Sequence, residues 1–227
     1  MIDAATLPRL LQLASPTLPV GAFSYSQGLE WAVETGVVHD QTSAGEWIGA
    51  VMRAGIAGFE APLVARLYDA FRRGDAAAVA QWNERFVAAR ETAELRAETL
   101  QMGYSLTRLL SGLDGFPADH VARLEAIEGA SFPAAYACAA AAWNIPLEAA
   151  LTAYLWAWLE NQVMAALKSV PLGQAAGQAL LLSLGAGIAA LAARAAVLED
   201  DELSNFAPGL AIASSRHETQ YSRLFRS

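Results

Sequence analysis

Pro146-Leu147-Glu148-Ala149-Ala150-Leu151-Thr152-Ala153-Tyr154-Leu155-Trp156-Ala157-Trp158-Leu159 opens the most apolar stretch of the chain. It runs on to Leu198 and is broken once, at Val170-Pro171-Leu172-Gly173-Gln174. Between Leu147 and Val170 the apolar side chains leave almost no polar face, and a helix hydrophobic nearly all round is buried on most sides. Asn144 and Pro146 read as its start, because Asn accepts from orphan helix N–H groups and Pro is tolerated in the first turn. Pro171 stops it, since it lacks an N–H and drives its predecessor out of helical dihedrals. A second helix is expected from about Gln174 to Leu198, so the two would form a central buried pair.

Outward from that pair the pattern stays helical, and sustained period-2 alternation is missing. The first helix covers Thr6 to Ala14, with Leu7, Leu10, Leu11 and Ala14 on one stripe. Ser15-Pro16-Thr17-Leu18-Pro19-Val20-Gly21 then makes an ordered loop, each Pro fixing φ. A helix from the Phe23–Trp31 stretch ends at Gly36. Ser43 with Glu46 forms a capping-box pattern before Trp47, Ile48, Val51, Met52, Ile56 and Phe59. Pro62 is expected to separate that helix from the next, and Gly74-Asp75 to end one and cap another. Gly112-Leu113-Asp114-Gly115-Phe116-Pro117 is the clearest turn. The fold class is therefore all-α: a single-domain bundle of about nine to ten helices around the central pair.

Composition limits function. The net charge of −8 is uneven: residues 1–202 carry 12 basic and 22 acidic side chains, whereas residues 203–227 carry three Arg and one Glu. An acidic body argues against nucleic acid, which needs clustered cations for its phosphates. No secretory signal is visible, and the best membrane candidate, Ala179 to Ala193, falls short of the ~20 residues a span needs. The lone Cys138 fits a reducing compartment, so a cytoplasmic protein is expected, with no membrane and no nucleic acid among its partners.

Catalytic motifs are missing as well. The chain has no GxxxxGK[ST] phosphate loop and no HExxH, and its histidines, His39, His120 and His217, stand far apart in sequence. A small serine hydrolase using Ser24 or Ser26 with His217 is the alternative reading, although no spacing supports it. The charge run Arg90-Glu91-Thr92-Ala93-Glu94-Leu95-Arg96-Ala97-Glu98 reads either as a solvated helix face with an Arg90–Glu94 pair or as a partner-facing ridge. Lys168, the only lysine, reads either as a cation favourable at a helix C-terminus or as a charge kept for an acidic partner.

The tail, Arg216-His217-Glu218-Thr219-Gln220-Tyr221-Ser222-Arg223-Leu224-Phe225-Arg226-Ser227, alternates Arg with aromatic and polar groups. Terminal segments fray unless tied down, and Arg and Tyr are enriched at interface hot spots. The expected division is a helical body over residues 1–206 and a docking tail over 207–227, loose alone and ordered by a partner.

Leu11-Gln12-Leu13-Ala14-Ser15-Pro16 with Leu18-Pro19-Val20-Gly21-Ala22-Phe23-Ser24-Tyr25-Ser26-Gln27-Gly28-Leu29-Glu30 resembles the N-terminal signature of the UreF family of urease accessory proteins. Ala89 to Arg96, Lys168 to Gln174 and the tail resemble the family's other marked blocks, in family order. Ala22 departs from the second glycine many members carry. The resemblance implies an all-α, non-enzymatic, homodimeric protein that bridges UreD (also called UreH) and the GTPase UreG during nickel insertion into apo-urease. It implies no resident cofactor, no catalytic residue and no metal ligand, nickel being cargo of the complex. It assigns Arg216, His217, Glu218, Tyr221, Arg223, Phe225 and Arg226 to UreD/UreH contact, and the surface around Glu30, Lys168 and Gln174 to UreG.

Overall fold

The computed structural model describes residues 2–227. Among them are eleven α-helices, one 3₁₀ turn and no strand. In chain order the helices are α1 Leu7–Ala14, α2 Leu29–Glu34, α3 Gln41–Arg73, α4 Ala76–Ala88, α5 Ala93–Ser111, α6 Ala118–Glu125, α7 Phe132–Ala142, α8 Leu147–Ser169, α9 Gln174–Gly185, α10 Ile188–Val197 and α11 Pro208–His217. The 3₁₀ turn, Ala22–Ser24, lies between α1 and α2.

The centre is α7, packed chiefly against the second half of α3 and against α5. Its residues Pro133 to Ala141 are all buried. Small side chains let neighbouring backbones approach closely, and nothing on this helix asks for water. α8 lies beside this core but shows Trp156 and Met164 to solvent. The expected second helix of the central pair is split in two at Ala186-Gly187, with a bend of 41°. Both pieces ride on the outside, leaving Leu182 80% and Val197 74% exposed. Apolar composition signals a helix and says nothing of which layer holds it.

Pro62 does not separate two helices. α3 runs 33 residues straight through it, because Met52–Glu60 is wound as a π-helix and α-helical pairing resumes at Ala61. The missing Pro62 N–H falls where the hydrogen-bond register changes, so no regular bond is lost there. α3 is long and apolar enough to cross a membrane, yet 78% of its most apolar window is buried inside the fold.

Capping differs in detail from expectation. Asp40, not Ser43, is the N-cap of α3, accepting from the Ser43 N–H at 2.8 Å. Asn144 does not cap α8; it takes a left-handed conformation (φ 54°) in the turn before it and accepts a hydrogen bond from Arg72. Gly74 and Asp75 act as read, with Asp75 accepting from the Ala78 N–H at 3.0 Å.

Candidate functional site: a carboxylate-lined seat for the C-terminal segment

Three acids are turned inward by their helices. Glu30 sits in the first turn of the short α2 and is buried. Glu94 lies in the first turn of α5, and Glu98, one turn on, is buried. The segment after α11 lies across all three.

Glu30 accepts from the Leu224 N–H at 2.6 Å, from the Phe225 N–H at 2.9 Å, and faces His217 Nε2 at 3.3 Å. Glu94 holds His217 Nδ1 at 2.7 Å and Arg223 Nη1 at 2.6 Å. His217 is fully buried between the two carboxylates. One ring nitrogen faces each acid, so the imidazole ties the first turn of α2 to the first turn of α5. Charge-assisted bonds of this kind contribute about 1.5–3 kcal/mol each. Glu218 caps α5, accepting from the Ala93 N–H at 2.8 Å and the Glu94 N–H at 3.3 Å, where an anion also suits the helix dipole.

The last residues are enclosed. The Arg226 N–H donates to the Ser24 carbonyl at 2.8 Å, and the Ser227 carbonyl oxygen accepts from the Ser26 N–H at 2.8 Å and Ser26 Oγ at 2.6 Å. Ser227 Oγ donates to Glu98 Oε2 at 2.7 Å. Phe225 is buried, with the Lys168 ammonium 5.6 Å above its ring.

The N-terminal signature forms the other wall. Gln27 and Gly28 both take left-handed conformations, φ 51° and 77°. That is uncommon for Gln, but Gln27 is locked from both ends of its amide: Nε2 donates to Glu98 Oε1 and Oε1 accepts from Trp158 Nε1, each at 2.7 Å. Gly28 is needed because a Cβ there would stand 2.9 Å from the Ser214 N atom on α11. Ala22 needs no glycine; its 3₁₀ turn is right-handed, and the positive φ falls on Gly21.

Beneath the seat lies a cavity of about 200 Å³ whose wall includes Gln27, Glu60, Arg90, Glu98 and Tyr154. Arg90 does not pair with Glu94. It reaches Glu60 at 2.7 Å, lies over the Phe86 ring, and Glu60 also accepts from Tyr154 Oη at 2.9 Å. Burial, with Glu60 beside it, pushes the Tyr154 hydroxyl well above the usual tyrosine range, so it acts as a donor. Burial likewise pushes the Glu98 carboxyl up to about 7.

The predicted site residues therefore fall into two groups. Glu30 is not on the surface, and His217 and Phe225 point inward with it. Arg216, Tyr221, Arg226, Lys168 and Gln174 are exposed, while Glu218 and Arg223, also at the surface, have their charges engaged by the body. The tail is not loose: it is tied to the body at His217 and Glu218 and again from Arg223 to Ser227. Glu60 and Glu98 went unrecognised in the sequence, one preceding a proline in an apolar helix and the other closing a charge run. The hydrolase alternative fails on geometry: Ser26 Oγ bonds the Ser227 carbonyl, and both His217 nitrogens face carboxylates. Among the described residues, no three His, Cys, Asp or Glu side chains gather to hold a metal ion.

The family model for UreF matches residues 38–185. A urease accessory protein UreF of Azoarcus sp. (strain BH72) is 64% identical over 223 residues, covering 97% of this chain and 95% of that protein. The UreF of Methylobacillus flagellatus is 54% identical over 227 residues, covering all of both. A bifunctional urease accessory protein UreEF of Bordetella bronchiseptica is 52% identical over 229 residues; the match covers all of this chain and 53% of that protein. With that likeness running through the tail and its seat as well as the helical core, the chain belongs to the UreF family of urease accessory proteins, which are not enzymes.

Proposed function

We propose that the chain is a cytoplasmic scaffold that bridges UreD/UreH and the GTPase UreG and regulates GTP-dependent nickel insertion into apo-urease, working as a homodimer. The observation that carries this reading is the two-sidedness of the tail. Its inner side is consumed by Glu30, Glu94, Glu98 and Ser26, while its outer side presents a fully exposed Tyr221 and a Leu224 that is 71% exposed, flanked by Arg216 and Arg226. Apolar and aromatic groups shown on an already ordered strip avoid most of the ordering cost of binding. We assign this strip of the 207–227 docking tail to UreD/UreH. The bifunctional relative supports work within an assembly, since joining two accessory proteins in one chain raises their effective concentration.

Lys168 and Gln174, exposed at the end of α8 and the start of α9, are assigned to UreG. Glu30 contributes indirectly, by holding the strip in place. Control of UreG then rests on differential affinity: a scaffold shifts a nucleotide switch only by binding one state more tightly than the other. Co-purification with UreD and UreG tests the assignment. Tyr221→Ala with Leu224→Ala should cut UreD/UreH retention at least tenfold (about 1.4 kcal/mol), and Lys168→Ala should weaken UreG retention alone. Full retention of both partners by both variants would overturn the assignment.

A further inference from the structure

The cavity beneath the seat takes no part in the scaffold reading. Its wall runs from Pro16, Phe23 and Met164, which are exposed, to Glu60, Arg90 and Glu98, which are buried. Between those ends leucine, methionine and aromatic side chains predominate. A volume of about 200 Å³ admits a ligand of a few heavy atoms, since an apolar cavity of roughly 150 Å³ holds benzene. The buried end is polar and incompletely paired. Arg90 is 8% exposed, with its guanidinium over the Phe86 ring. Nη1 donates to Glu60, but Nε is buried without a partner. Among the described residues four buried side-chain atoms lack a hydrogen bond, and Arg90 carries the only one of them that belongs to this wall. Two carboxyl groups in the same wall have acceptor capacity to spare. Glu60 accepts from Arg90 and Tyr154, and Glu98 from Gln27 and Ser227. That is one bond to each oxygen, where a carboxylate offers about four lone-pair sites.

We propose that this cavity is a binding site for a small uncharged amide, the class that includes urea. Its carbonyl oxygen accepts from Arg90 Nε, its N–H groups donate to the Glu60 and Glu98 carboxyl oxygens, and any alkyl end packs on the apolar wall. Other chemistries fit less well. An anion would engage Arg90 but face Glu60, Glu98 and Glu160 in a wall whose only cations are Arg90 and Lys168. A hydrocarbon would leave the buried Arg90 N–H unpaired, which forfeits the hydrogen bond that a desolvated donor needs. A metal ion would leave it unpaired too, and would find no group of three ligating side chains among the described residues. An amide brings one acceptor and several donors together without net charge. Glu98 also receives the Ser227 hydroxyl, so a ligand seated here lies directly behind the docking tail.

Titration of the isotope-labelled full chain with propionamide tests this, read by NMR at the Arg90 Nε–H and at the Gln27 side-chain amide, which lines the same cavity. Both signals should move saturably, with half-saturation at about 1 mM, as befits a ligand of about five heavy atoms. Butanone has the same shape but no N–H groups and should bind at least about fivefold more weakly. Propionate, which brings a charge, should bind at least about tenfold more weakly. Equal binding of butanone overturns the proposal, and so does tighter binding of propionate. Signals that stay put up to about 100 mM propionamide also overturn it, leaving water as the only partner of Arg90. Arg90→Lys keeps a cation for Glu60 and removes Nε, and should weaken propionamide at least about tenfold at the Gln27 signal. Should that variant fail to fold, Ala157→Leu decides: Ala157 also lines the cavity, and unchanged binding with the larger side chain in place overturns the site. No partner enters the measurement, so its failure leaves the scaffold reading standing.

Discussion

The α7 core and the C-terminal seat hold the chain together by opposite means. Around α7, Ala, Leu and Phe side chains are buried without direction, and stability scales with the area removed from water. In the seat the segment from Ser214 to Ser227 is held by named atoms: three glutamate carboxyl groups, three serine hydroxyls, a histidine and successive backbone N–H groups. Burial of that first kind tolerates small changes of shape, whereas a directional network fails when one partner leaves, because the others remain buried and unpaired. The body should therefore unfold as one unit, and the segment should be able to open by itself.

That contrast can be broken at either end. Phe71 is 1% exposed between α3 and its neighbours, and Phe71→Ala should lower global stability by about 3–5 kcal/mol. Urea unfolding followed by far-UV circular dichroism measures it; a loss below 1 kcal/mol would remove the core from its assigned place. Glu30→Ala strands two backbone N–H groups and one face of His217. It should weaken seating by about 3 kcal/mol while moving the urea midpoint of the body little. Exchange of Leu224 and Phe225 should then rise by at least a hundredfold, and an equal loss across α7 would mean that seat and core are one cooperative unit. The smallest effect is expected at Cys138. Burial pushes its thiol up to about 12, so a thiol reagent at pH 8 should label it only upon unfolding, and rapid labelling of the native chain would show a core looser than described.

Local features were legible in the residues, and long-range partners were not. Gly74-Asp75, the Gly112–Pro117 turn and the all-α class follow from short-range chemistry that the fold leaves intact. Arg90 shows the limit. Spacing along a helix offered Glu94 four residues on, but the helix N-cap is Thr92, so Arg90 lies outside α5 and turns inward to Glu60 thirty residues away. Glu98 closes a run of charges that reads as a wet face, yet α5 rotates it toward Ser227. Glu30 was read with Lys168 and Gln174 as part of one surface, but the fold buries it under the tail, where it accepts from the Leu224 and Phe225 N–H groups.

Periodicity, proline and glycine determined that this chain is a bundle of helices with an unusual Arg-rich end, since those signals depend on residues a few positions apart. Only the tertiary structure decided that α7 is the centre, that α9 and α10 lie outside, and that the tail closes on Glu30, Glu94 and Glu98. The reason is physical. Helix formation is settled by neighbours along the chain, whereas the layer a helix occupies and the partner a buried charge finds are settled by groups that folding alone brings together.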